Sequence, residues 1–243
     1  MNNPNIARGN SNIYGFPIGI LMLDTAFPRI PGDIGNALTW DFPVLYKLVH
    51  GASVARAVGA GDPDLLKPFI EGAKELIAQG VKAITTSCGF LVIFQREMAD
   101  ALPVPVFTSA LLMVPMVYSI LPKGSKVGIM TFNGSALTER HIKGAGIENI
   151  PTVICGMEDT EYFAKPIREN LTEINVDGAR ADVVAAASKM CKENPDVKAI
   201  VLECANLPPY ANDIRHATGL PVYDITNLTT FMCQAVAGKP RRV

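Results

Sequence analysis

The sequence has little of what metal centres, membranes and nucleic acids require. It holds three histidines, His50, His141 and His216, and no two stand at metal-ligand spacing. No Cys-x-x-Cys occurs among the five cysteines, Cys88, Cys155, Cys191, Cys204 and Cys233. A metal site is therefore not expected. No apolar run reaches the roughly 18 residues that a spanning helix needs. The start "MNNPNIARGNSNIYG" is polar and carries no signal-peptide core. The formal net charge is −1, without a basic stripe or polybasic run, so neither nucleic acid nor membrane is an expected partner. An odd cysteine count in a large apolar chain points to free thiols in a reducing compartment. The expectation is a cytoplasmic protein with a frayed N-terminus.

What the chain does have is core. Its 243 residues are 49% hydrophobic and 19% charged, enough for one large or two smaller α/β units. "IGILMLD" (18–24) reads as a strand covered on both faces. A Pro/Gly loop follows at 25–36, then a second strand near 52–58 and a helix over 62–80 with an aspartate cap and a terminal glycine. Strand 82–87, helix 89–101, and a strand and helix from "VPVFTS" and "ALLMVPMVYSIL" complete the first half. The second half reads strand 126–132, helix 135–146, strand 151–156, a short helix near 159–170 and a long helix over 177–194. Strand 198–203, helix 208–219, strand 220–225 and a last helix over 226–237 follow.

The second half repeats the first. "VKAITTSCGF" (81–90) and "VKAIVLECAN" (197–206) share four consecutive residues, and one offset of 116 relates Lys82 to Lys198, Cys88 to Cys204 and Pro105 to Pro221. The first strands match as well: Gly19 leads to Asp24 as Gly128 leads to Asn133. The expected fold is two pseudo-symmetric lobes, each a parallel sheet flanked by helices. They divide as 1–120 with 220–243, and 121–219. Ligands in such sheets bind beyond the C-terminal strand ends, so the site is expected in the cleft between the lobes.

Cys88 and Cys204 stand at those strand ends, each at a turn into a helix. Unpaired N–H groups there are expected to stabilise a thiolate and lower its pKa. They can also hold a substrate carboxylate, helped by the small or hydroxyl-bearing neighbours Ser87, Gly89, Ala205 and Asn206, with Phe90 beside them. Two thiols facing one carbon suit proton abstraction beside a carboxylate and reprotonation from the opposite face, and this scheme needs no cofactor. Cys155, Cys191 and Cys233 read as small core residues.

With these motifs in view, the chain resembles the aspartate/glutamate racemase superfamily, which includes hydantoin racemases, maleate isomerases and arylmalonate decarboxylases. "GILMLD", "TTSCGF", "GIMTFNGS" and "LECANLPPY" fall in that family's order. The resemblance implies catalytic roles for Cys88 and Cys204, cofactor-independent chemistry, and substrate contacts from Asp24, Asn133 and Ser135. A homodimer is expected from the resemblance only. The chain departs from the family pattern. Where amino-acid racemases commonly read Cys-Asn-Thr, it reads Cys88-Gly89-Phe90. Where they read Cys-Thr followed by His or Glu, it reads Cys204-Ala205-Asn206. The two cysteines argue against the one-cysteine decarboxylase branch.

Arg29, in the shaped loop "DTAFPRIPGD", is placed to hold a substrate carboxylate. Asp24 is a candidate ligand for a substrate ammonium or an orienting partner for Cys88, or else a helix or turn cap. Asn133 and Ser135 serve equally as caps of the helix that follows them. Glu203 directly precedes Cys204; strand alternation turns it away from the thiol unless the turn has already begun there, which leaves it a weak candidate. The expected function is a racemase or epimerase of a small carboxylate-bearing compound such as an amino acid. A cis–trans isomerase of an unsaturated diacid, working by covalent cysteine addition, or a non-catalytic binding homologue, stands as the alternative.

Overall fold

The apolar run 18–23 becomes strand β1 (Ile18–Leu23), buried along nearly its whole length because layers cover both of its faces. The computed structural model describes residues 9, 12–58 and 61–237. Most of the polar start, read from sequence as frayed, therefore lies outside the described residues, as does the end of the last segment, 238–243. Around β1 run β2 (Val44–Val49), β3 (Ala83–Thr86) and β4 (Val106–Phe107), all parallel, in the order β2-β1-β3-β4. The second sheet is built from β5 (Lys126–Thr131), β6 (Thr152–Gly156), β7 (Val197–Leu202) and β8 (Val222–Tyr223). Its order, β6-β5-β7-β8, is that of the first sheet, and it too is parallel.

The duplication read from the 116-residue offset extends to single hydrogen bonds. Ile84 N–H donates to the Pro105 carbonyl at 3.0 Å, and Ile200 N–H to the Pro221 carbonyl at 2.9 Å. Ser87 N–H reaches Leu21 at 2.9 Å, and Glu203 N–H reaches Met130 at 2.8 Å. The central strands carry matched glycines for a packing reason. A Cβ on Gly19 would lie 2.9 Å from Leu76 and Val81, and one on Gly128 would lie 2.7 Å from Met190. Each glycine thus lets a covering helix settle close to its sheet.

Those helices, in chain order, are α1 (Val54–Ala57), α2 (Leu66–Ala78), α3 (Gln95–Ala101) and α4 (Val114–Ser119) in the first half. In the second half come α5 (Glu139–Ala145), α6 (Ala164–Arg168), α7 (Val176–Glu193) and α8 (Ala211–Thr218), and α9 (Ile225–Ala237) closes the described chain. Helix α7 buries Ala179, Val183, Ala187 and Met190, one stripe at helical spacing. Among the described residues, no helix is long and apolar enough to cross a membrane.

Two sequence expectations need correction. The segment 52–58 is not the second strand. The Ser53 side chain accepts from Arg56 N–H at 3.4 Å and starts the helical turn α1, while the strand lies earlier, at β2. The lobe boundary at 219/220 also shifts. Strand β8 pairs with β7 in the second sheet, and only α9 returns to pack against β3. The loop at 219–221 therefore belongs to the second lobe, and the crossover falls at 224.

Candidate active site

Cys88 and Cys204 each stand two residues past a strand end, after β3 and β7. Both line one cavity between the lobes. Each turn is locked in the same way: Leu91 N–H donates to the Cys88 carbonyl at 3.1 Å, and Leu207 N–H to the Cys204 carbonyl at 3.1 Å. The Thr86 hydroxyl also ties the first turn to its sheet, donating to the Cys88 carbonyl at 3.0 Å and to Thr108 at 2.8 Å. Backbone N–H groups of Phe90 and Leu91 point at the Cys88 sulfur, and that of Asn206 points at the Cys204 sulfur. The Cys204 thiol lies 3.8 Å from the Asn206 side-chain oxygen.

Of the residues singled out from sequence, Arg29, Ser87, Gly89 and Phe90 join the two thiols in the cavity wall, together with Ala205 and Asn206. Asp24, Asn133 and Ser135 do not line it. Asp24 accepts from Gly51 N–H at 3.1 Å and sits beside His50 in solvent. Asn133 caps its own turn, accepting from the Ser135 hydroxyl at 2.8 Å and from Ala136 N–H at 3.1 Å. Asp24 and Asn133 thus act as turn caps, while Ser135 is itself held by Asn133 and, through its N–H at 3.4 Å, by Glu158.

Glu203 is the weak candidate from the sequence that the structure brings to the site. Strand β7 ends at Leu202, so Glu203 is already in the turn and alternation no longer fixes its direction. Glu203 lines the cavity, its side chain packed against Gly89 of the same wall. One carboxylate oxygen, Oε2, accepts from the Thr131 hydroxyl at 2.7 Å, and the other, Oε1, is buried without a hydrogen-bond partner. Gly89 makes this possible: a Cβ there would lie 2.3 Å from both the Glu203 carbonyl and Oε1. The glycine that replaces the family's asparagine was the available sequence signal.

The electrostatics reverse the expected direction for the thiols. Burial, reinforced by the Glu203 carboxylate, pushes Cys88 up to about 12 despite the N–H groups aimed at it. The same two causes hold Cys204 well above the ordinary thiol range. Burial also lifts the Glu203 carboxyl to about 7, against the Thr131 hydrogen bond. The helix-end argument gave the sign of the local field but not its size, and desolvation outweighs it.

The loop at 25–36 closes the cavity. Arg29 lies in it, its guanidinium 3.1 Å from Asp33, 3.2 Å from the Thr25 hydroxyl, and over the Phe27 ring at 4.5 Å. Asp33 reaches across to the second lobe, accepting from the Asn206 amide at 2.6 Å. The cavity holds about 30 Å³, room for a water or two. Larger hollows of about 410 Å³ beside Phe16 and about 690 Å³ between α3 and α5 contain neither thiol. Among the described residues, no cluster of three or more His, Cys, Asp or Glu is arranged to hold a metal ion.

The model of the Asp/Glu/hydantoin racemase family matches residues 60–233. This chain belongs to that family. Its relatives include a dimethylsulfoniopropionate lyase of Durusdinium sp. clade D, 30% identical over 237 residues, which cover 95% of this chain and 78% of the relative. Dimethylsulfoniopropionate lyase 7 of Emiliania huxleyi (strain CCMP1516) is 32% identical over 235 residues, covering 92% and 68%. Among solved structures, a crystal structure of arylmalonate decarboxylase superposes with a TM-score of 0.62 at 17% identity, covering 92% of this chain and 94% of that one. That likeness is one of fold. The racemase family is therefore shown, while the relatives named for an activity are lyases.

Proposed function

We propose that this chain removes a proton from the carbon beside a carboxylate with a cysteine thiolate, and that the carbanion then expels a leaving group from the next carbon. In this reading it is a lyase acting on a dialkylsulfonio carboxylate of the dimethylsulfoniopropionate type. The observation that carries the proposal is one cavity holding both thiols, Cys88 and Cys204, under a loop that presents a guanidinium. Arg29 and the Ser87 hydroxyl would take the substrate carboxylate, where charge grows as the proton leaves. Cys88, a thiol while the cavity is empty, would lose its proton to solvent as the cationic substrate enters beside it, and then takes the α-proton; the electron pair forms the double bond, and the carbon–sulfur bond breaks with its pair onto sulfur. Dimethyl sulfide and acrylate leave, and Cys88 is again a thiol.

Three observations support elimination over racemisation of an amino acid. The relatives that match over nearly the whole chain are named as lyases. Asp24, the expected ligand for a substrate ammonium, lies outside the cavity. The wall is instead apolar, with Phe27, Phe90 and Phe132 in it. Racemisation stays the second reading because the thiols occupy pseudo-symmetric positions, as opposite-face proton transfer requires. Parallel incubations in D₂O separate them: with dimethylsulfoniopropionate, headspace chromatography reads sulfide release, and with a panel of chiral amino acids and hydantoins, NMR reads deuterium at the α-carbon. Sulfide release lost in Cys88→Ser supports the lyase. Deuterium exchange without sulfide release supports the racemase. Neither activity in the intact protein overturns both.

A further inference from the structure

Glu203 has no task in the elimination just written, yet its position is costly. A fully buried carboxylate oxygen without a partner forfeits its hydration. Here that oxygen is Oε1, in a residue only 1% exposed, on the wall of the same cavity as both thiols. It is not free to turn away, because Oε2 is anchored on Thr131 at 2.7 Å. The first lobe has given up a side chain at Gly89 to admit it.

From this geometry we infer that Glu203 is the counter-ion for a permanently charged, fully alkylated onium group on the substrate, seated between Oε1 and the phenylalanine rings. The inference rests on the proposed reading of the site and names the group that distinguishes its substrates. A primary ammonium has three N–H donors to place. Among the described residues the cavity wall offers it one unpartnered carboxylate oxygen, and the candidate ammonium ligand Asp24 is elsewhere. A sulfonium or quaternary ammonium has no donor to satisfy. It needs only negative charge and the negative faces of aromatic rings. Glu203 supplies the charge, and Phe90 and Phe132 are the rings beside it in the cavity wall, the Phe27 ring being taken by the Arg29 guanidinium. The burial that lifts the Glu203 carboxyl agrees with a site completed by a cation.

The test uses two unreactive ligands of nearly the same shape: trimethylammoniopropionate and its neutral all-carbon isostere. Calorimetric titration of the intact protein at pH 8 is expected to show the onium ligand binding roughly tenfold more tightly. In Glu203→Gln the preference is expected to vanish while the neutral isostere still binds, which also shows that the site is folded. Glu203→Asp, which keeps the charge, is expected to retain part of the preference and covers the case of a Gln variant that does not fold. Equal affinities in the intact protein, binding of neither ligand, or a full preference in Glu203→Gln overturns the inference. Absence of sulfide release with the preference intact would instead sink the lyase reading and leave this one standing.

Discussion

Cys88 and Cys204 occupy matching turns that differ at the residue before the thiol. In the first lobe that residue is Ser87, whose hydroxyl oxygen accepts from Leu23 N–H at 2.9 Å and so ties the turn to its own sheet. In the second it is Glu203, which also ties back to its central strand, through Thr131, but leaves a second oxygen buried without a partner. One position thus serves structure in one lobe, and structure plus charge in the other. Duplication preserved the strand order and the carbonyl hydrogen bonds. It did not preserve the charge. A pair of thiols that looks symmetric along the chain sits in an asymmetric field, because the carboxylate belongs to one lobe alone.

The largest expected effect tests how far the thiols themselves differ. Arg29 lies near enough to favour the Cys88 thiolate, whereas Asp33 disfavours that of Cys204. Cys88 is therefore the easier thiol to ionise and the better general base. Cys88→Ser is expected to lower kcat about a thousandfold, within the usual range for loss of a positioned base. A loss of the same size in Cys204→Ser would mean that both thiols move protons, as racemisation demands. A smaller one marks a single base, as elimination requires. Single-turnover kinetics of the two variants give the ratio directly.

Next in size is the stability that Glu203 costs. Burial lifts its folded-state carboxyl to about 7, so the folded chain holds this proton longer than the unfolded chain as pH rises. Stability from this group is greatest below the ordinary carboxyl range, falls between there and pH 7, and levels off above. The deficit at pH 8 amounts to about 3 kcal/mol. Cys88, Cys204 and Arg29 line the same cavity, and the thiols stay protonated throughout this window. Glu203→Gln keeps the shape and removes the ionisation, so it is expected to stabilise the protein at pH 8 and leave it nearly unchanged at pH 4. Urea unfolding at the two pH values measures this. A variant less stable at pH 8 would show the carboxylate to be structural.

The same asymmetry explains what could be read from sequence. The two lobes were legible because their central strands are continuous apolar runs and their landmarks keep one offset. β2 was missed because it lies at the sheet edge: most of its residues are only half buried, and Lys47 breaks its apolar pattern. Eight of the eleven candidate site residues reach the cavity. Asp24, Asn133 and Ser135 do not, because strand-end polar groups satisfy their own turns first. Glu203 ranked low because its direction hangs on whether the strand ends before it, and β7 does end at Leu202. The sign of the thiol shifts depends on burial beneath the 25–36 loop, a property of the closed tertiary structure that no local motif carries.

The smallest effects come from exchanging the residues after the two thiols, which asks whether Gly89 is needed for its backbone or for the space it leaves. Gly89 is buried against Glu203, and a Cβ would lie 2.3 Å from the Glu203 backbone carbonyl as well as from Oε1. Rotation of the Glu203 side chain relieves only one of those contacts. Gly89→Ala is therefore expected to force the two turns apart, costing about 1–3 kcal/mol, the usual range for overpacking. It should also weaken the onium preference by displacing Oε1. Ala205 stands at the equivalent place after Cys204 and is buried at 3% exposure. Ala205→Gly removes one methyl and is expected to cost no more than about 1 kcal/mol, with the onium preference unchanged. Denaturant midpoints and the ratio of onium to neutral affinity, measured on both variants, place the two turns on one scale. If Gly89→Ala proves as mild as Ala205→Gly, Glu203 has room to move, and the cavity holds Oε1 less firmly than its anchor on Thr131 implies.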